Sequence, residues 1–153
     1  MTPRVDPFAA APHLLQQFIA FSQAMMKSGL EPSLVELVKI RASQLNGCAI
    51  CLHMHTVETR KAGETEERIY LLDAWRESPL YSPRERAALA WTEALTLVAE
   101  TRAPDADYEL VKAEFSEEEQ VKLTMVIAVI NSWNRFGVGF RRSHPVAAGR
   151  AAA

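Results

Sequence analysis

Cys48 and Cys51 are the only cysteines in the chain, and they sit three apart in the run Asn46-Gly47-Cys48-Ala49-Ile50-Cys51-Leu52-His53-Met54-His55. Two cysteines at this spacing admit four readings: a staple, part of a metal site, a redox pair, or two small buried side chains. The surroundings favour the redox pair. Asn46-Gly47 interrupts a helical pattern, so a new helix starts at or near Cys48 and both sulfurs fall in its first turn. Unpaired N–H groups and the positive end of the helix dipole stabilise a thiolate there, and the thiolate is the reactive form of cysteine. The three-residue offset turns both side chains to one side, where a reversible disulfide can close. His55 lies four residues after Cys51 and seven after Cys48. It shares their face and can exchange a proton with a neighbouring thiol. His53 lies roughly 200° around the helix from Cys51 and is read as exposed or partner-facing. His13 and His144 receive no role. Cys48, Cys51 and His55 would supply three zinc ligands, but no second Cys/His pair closes such a site, so no metal is expected.

The elements that must position these groups are helices. Apolar residues of His13–Met26 keep one face, and Gly29 follows as a C-terminal cap. Pro32 opens a helix running to Asn46-Gly47, and the helix of the cysteines ends near Gly63. Thr65 caps a fourth, with Glu66 and Glu67 in its first turn. Ser82-Pro83-Arg84-Glu85 and Ser116-Glu117-Glu118-Glu119 are capping boxes, and a shorter helix covers Asp105 to Phe115. The segment after Ser116 is apolar nearly all round, which predicts a helix central in the bundle or covered by another subunit. Trp75, Trp91 and Trp133 are read as packing residues, and Arg135 as pairing with a carboxylate across a helix contact. Gly137 and Gly139 indicate a helix end or a close backbone approach. Sustained strand alternation is absent. The expectation is an all-α fold: a single-domain bundle of about seven helices spanning residues 1–153, with its core at about 12–142.

The 153 residues, 48% hydrophobic and 24% charged, suffice for one core without staples. A net charge of -2 gives no basic face for nucleic acid, and "FRRSH" (140–144) is too short to alter that. No apolar run approaches a membrane span, and the proline-bearing N-terminus has no signal-peptide core. The chain is expected to be cytoplasmic, where a lone cysteine pair is more often catalytic or metal-binding than a permanent staple.

Three stretches, "LVELVKIRASQLNGCAICLHMHT", "KAGETEERIYLLDAWRESPLYSPRERAALAWTEALTL" and "INSWNRFGVGFR", resemble the AhpD-like, carboxymuconolactone decarboxylase family from about Pro32 to Arg141. The family's redox motif is a glutamate, eleven residues, then C-x-x-C-x-x-x-H. Glu36, Cys48, Cys51 and His55 occupy it with spacing intact. Local spacing alone would read Glu36 as a solvated partner of Lys39, whereas the resemblance makes it part of a proton relay with the thiols and His55. It further implies a homo-oligomer (dimer, trimer or hexamer) and thiol peroxidase activity. The partners would be a small organic hydroperoxide or hydrogen peroxide and an external dithiol electron donor, with no bound cofactor. The sequence departs from the peroxidase-type members at Ile50, where they carry a histidine just before the second cysteine. The decarboxylase branch lacks the paired cysteines.

The expected chemistry is a thiol–disulfide cycle. Cys48 is nearer the helix N-terminus, while Cys51 has His55 one turn away; the reading takes Cys51 as the attacking thiol and Cys48 as the resolving one. Ala49, Ile50, Leu52 and Met54 line a substrate pocket or belong to core or interface. Two other classes compete: a non-redox enzyme acting on a small carbonyl compound, and an oligomeric stress-related binding module with incidental thiols.

Overall fold

The computed structural model describes residues 2–146. Nine α-helices and one 3-10 turn, with no strand, make up the regular structure of these residues. The helices are α1 (Pro7–Ala10), α2 (Pro12–Met26), α3 (Pro32–Leu45), α4 (Ala49–Lys61), α5 (Glu66–Tyr70), α6 (Pro83–Thr96), α7 (Val98–Thr101), α8 (Asp105–Glu114) and α9 (Glu117–Gly139), with the 3-10 turn at Leu71–Ala74. The expected all-α bundle is present. The count exceeds seven because one-turn pieces such as α1 and α7 are too short to carry apolar periodicity. Both capping boxes form: Ser82 with Glu85, and Ser116 with Glu119.

The central helix is α3, which packs against α4, α6 and α9. Leu34, Val35 and Val38 face Ala87 and Ala88 of α6, Val111 of α8, and Leu123, Val126 and Ile127 of α9. Leu37 and Ile40 face a second cluster with Leu72, Trp75 and Leu89. Helix α9 buries Leu123, Val126, Ile127 and Ile130 but leaves Val121 and Val138 exposed, so this chain encloses it only in part. The two buried cations of α3 are neutralised differently: Lys39 by Glu36 one turn away on the same helix, and Arg41 by Glu93, which is distant in sequence.

Arg41 donates through Nε to Glu93 Oε1 at 2.8 Å and also pairs with Asp73. Trp75 Nε1 and Arg76 Nη2 donate to the two Glu93 oxygens at 2.7 and 2.8 Å. Burial alone would raise the Glu93 carboxyl. The hydrogen bonds from Trp75 and Arg76 and the Arg41 charge outweigh it and hold the group below the ordinary carboxylate value. A carboxyl lowered in the folded state adds stability that is complete above its unfolded pKa and is lost as pH falls through the folded one. Glu93→Gln is therefore expected to cost about 2 kcal/mol at neutral pH. It should also reduce the loss of stability on acidification below about pH 4, near the unperturbed carboxylate value. Urea titrations at several pH values check both effects.

Candidate active site

The turn from α3 into α4 builds the site. Gly47 ends α3 with a left-handed φ of +64°. Its N–H donates to Gln44 O at 3.1 Å, and Cys48 N–H donates to Ser43 O at 3.0 Å. This pair of bonds closes a helix C-terminus, and it leaves Cys48 extended as the N-cap of α4. Cys51 follows in the first turn. The two sulfurs are bonded as a disulfide with Cα atoms 5.4 Å apart, a normal separation.

Asn46 fastens this turn to α9. Its Nδ2 reaches Asn131 Oδ1 and Asn134 Oδ1, each at 2.9 Å. Asn134 in turn donates to Ser43 Oγ at 2.9 Å. The buried Asn131 and Asn134 accept from Asn46 and donate to Thr96 and Ser43 hydroxyls, and this satisfaction is what makes them tolerable inside a core. Their positions, 85 and more residues from Asn46, gave no signal in the sequence.

One turn beyond the disulfide, His55 is 6% exposed. Its Nδ1 lies 3.1 Å from Glu36 Oε2, and Thr59 Oγ1 donates to the same oxygen at 3.5 Å. Glu36 Oε1 pairs with Lys39 Nζ at 2.5 Å. Glu36 therefore makes both the local pair with Lys39 and a long-range contact with His55, and with its side chain 14% exposed it is not the solvated residue that spacing alone suggested. Burial would raise its carboxyl, but the His55 hydrogen bond and the Lys39 charge more than offset this and hold it below the ordinary value. The motif residues thus lie along one stretch of the α3–α4 pair, with the disulfide at the turn between the helices and the His55–Glu36 contact further along them.

Glu36, His55 and Glu58 place one ligand atom each within 4.8 Å of one another. That spacing would suit a cation, yet the Lys39 ammonium on Glu36 already supplies the positive charge. Thiol ligation of zinc by Cys48 and Cys51 does not fit a closed disulfide.

A cavity of about 350 Å³ opens beside the pair. Cys51 and His55 contribute to its wall; Cys48, 1% exposed, does not. Ile50 and Met54 line it, whereas Leu52 packs on the core and Ala49 is exposed. Trp133 lines it too, with Nε1 donating to Ser22 Oγ of α2 at 2.9 Å.

Gly137 explains how α9 comes so close. A Cβ built there would lie 2.5 Å from Cys48 Sγ and 3.4 Å from Cys51 Sγ. The helix backbone itself therefore forms one wall of the disulfide's niche, one of the two readings its glycine invited. Arg135 departs from expectation. It donates to Asn131 O at 2.8 Å rather than to a carboxylate, because the α9 turn below it offers the nearest acceptor. His53 does not line the cavity, and it is half-buried rather than exposed, stacking on His144 with ring centroids 4.8 Å apart. That histidine had no assigned role.

Comparisons with known proteins show the family and the fold. A sequence profile described as the carboxymuconolactone decarboxylase family matches residues 12–94. This chain belongs to the carboxymuconolactone decarboxylase family. Among relatives, the uncharacterized protein YdfG of Bacillus subtilis (strain 168) is 44% identical over 138 residues, covering 90% of this chain and 94% of its own length. A crystal structure from Agrobacterium tumefaciens superposes with a TM-score of 0.93 at 46% identity, covering 95% of this chain and all of the other. That protein is of unknown function and is provisionally named an antioxidant defence protein AhpD. A debrominase superposes at 0.79 with 16% identity, covering 90% of this chain and 74% of its own, and shows the fold alone. The carboxymuconolactone decarboxylase fold thus hosts more than one chemistry. No helix among the described residues is long and apolar enough to cross a membrane.

Proposed function

We propose that the protein is a thiol-dependent peroxidase of the AhpD type. The observation that carries this reading is the cavity that reaches Cys51 and His55 in front of the Glu36 carboxylate. The Cys51 thiolate attacks the O–O bond of a hydroperoxide. The bond breaks, the alkoxide takes a proton and leaves as an alcohol, and Cys51 becomes a sulfenic acid. The Cys48 thiol condenses with it, forming the disulfide and releasing water. An external dithiol then reduces the disulfide by exchange and is itself oxidised. Access supports this order of roles, since Cys51 borders the cavity and Cys48 is sealed behind it.

His55 and Glu36 carry the protons. With the Nδ1 proton donated to Glu36, Nε2 is the basic nitrogen, able to accept the thiol proton and return it to the leaving alkoxide. Glu36 fixes that tautomer and is ionised at neutral pH, in keeping with its lowered carboxyl. Glu36→Gln keeps the shape but allows the amide to donate to His55, favouring the wrong tautomer. A loss of about a hundredfold in kcat/KM for an organic hydroperoxide is expected, within the usual range for acid–base assistance, with folding retained. Stopped-flow oxidation of the reduced protein measures it. Ile50, in place of the histidine of peroxidase-type members, leaves His55 and Glu36 as the proton route and gives the cavity an apolar wall. Unchanged rates in Glu36→Gln would overturn the relay. Turnover of a small carbonyl compound that survived Cys51→Ser would instead favour the non-redox branch.

A further inference from the structure

The cavity beside Cys51 is apolar along Ile19, Met26, Ile50, Met54 and Trp133, but two cations also reach it. Lys39 is committed, with its ammonium on Glu36 Oε1 at 2.5 Å and 3.3 Å from Met26 Sδ. Arg142 is not. Among the described residues, no carboxylate lies within ion-pair distance of its guanidinium and no carbonyl accepts from it. Its position is nonetheless fixed. The Arg142 N–H donates to Gly137 O at 2.9 Å, and Gly137 is the residue that lies against both sulfurs. The guanidinium lies over the Phe8 ring, 4.7 Å from its centroid, and Phe8 stacks at 6.4 Å on Trp133. Arg4 ties the same corner together, donating from its backbone N–H to Phe140 O at 3.1 Å and from Nη1 to Gly139 O at 3.0 Å. The two ends of the described chain therefore hold one half-buried cation at the edge of an apolar chamber whose wall includes the reactive sulfur.

We propose that this cavity binds an organic hydroperoxide carrying a carboxylate at the end remote from its O–O bond, with Arg142 as the carboxylate anchor. The hydroperoxide half of this statement rests on the peroxidase reading above; the anionic half rests on the cavity alone. A guanidinium presents paired donors to a carboxylate, and with one face covered by an aromatic ring it is well placed to make that fork. The volume of about 350 Å³ is near the lower end of ligand pockets, roughly 300–1,000 Å³, which suits a substituted arene or a short acyl chain. Such a ligand would lay its apolar body along Ile50 and Trp133 with its O–O bond at Cys51. The carboxylate is unchanged in the reaction: it orients the substrate, and the corresponding hydroxy acid leaves.

A matched pair of probes tests this: cumene hydroperoxide and the same compound with a para carboxylate. In the wild-type protein the carboxylated probe is expected to show about tenfold higher kcat/KM, equivalent to about 1.4 kcal/mol. The ratio between the two probes should fall to about one in Arg142→Gln, drop below one in Arg142→Glu, and be partly kept in Arg142→Lys. Because each ratio is taken within one variant, partial misfolding cancels. Calorimetry of the two matching alcohols with the disulfide form gives a readout that needs no turnover. The carboxylated alcohol should bind more tightly to wild type, and Arg142→Gln should lose that advantage. Equal affinity of the two alcohols for wild type, or a preference undiminished in Arg142→Gln, overturns the anchor. An Arg142-dependent preference among the alcohols, without reduction of either hydroperoxide, supports the anchor and refutes the peroxidase reading.

Discussion

Cys51→Ser is expected to lower steady-state peroxide consumption by at least about a thousandfold, the scale seen when a nucleophile is removed from an otherwise intact site. A serine hydroxyl does not ionise near neutral pH and cannot be oxidised to the sulfenic level, so O–O cleavage stops. Cys48→Ser should behave differently. With Cys51 intact, the first step survives: one equivalent of hydroperoxide is consumed, and a sulfenic acid accumulates because no thiol is left to condense with it. Rapid mixing followed by a sulfenic-acid trap distinguishes the two. The asymmetry follows from access, as Cys51 lines the cavity and Cys48 lies behind it at 1% exposure. A burst in Cys51→Ser with none in Cys48→Ser would reverse the assignment.

The second large effect concerns Gly137. An alanine methyl there would meet Cys48 Sγ at 2.5 Å and Ile50 Cγ2 at 3.2 Å. Neither neighbour yields easily, because Cys48 is tied by its own N–H to Ser43 and by its sulfur to Cys51. The 23-residue α9 would have to move away from the α3–α4 turn, straining the Asn46–Asn134 contact that joins them. Gly137→Ala is expected to destabilise the oxidised protein by about 2–3 kcal/mol, a typical overpacking penalty, and to slow reoxidation by shifting the sulfurs. Gly139→Ala is the control. It sits at the end of the same helix with nothing within 4 Å of the added carbon, so its stability should stay within about 1 kcal/mol of wild type, with alanine favoured. Denaturant titrations of the pair separate close approach from helix propensity.

Helix starts could be read directly, because capping is local: Ser82 and Ser116 carry their whole signal within four residues. The cysteine turn was legible for the same reason, since Asn46-Gly47 both ends α3 and sets Cys48 as the next N-cap. Glu36 was only half legible. Its pairing with Lys39 is a matter of spacing along one helix, but its contact with His55 joins two helices; the family resemblance supplied what spacing could not. The role of α3 was hidden, because a buried Arg41 looks like surface until Glu93, 52 residues on, is brought to it. The cavity wall was the least legible part. Phe8, Trp133 and Arg142 meet only when the two ends of the described chain come together, and "FRRSH" read in isolation is merely a short basic run.

In the proposed function, Cys48 and Cys51 form one redox unit driven by peroxide. Intact-mass and peptide-mapping spectrometry of the fully reduced, folded protein after one equivalent of an organic hydroperoxide tests it directly. Rapid and complete conversion to the Cys48–Cys51 disulfide, reversed by a dithiol, is the expected result. Thiols that remain reduced while the hydroperoxide persists would contradict it.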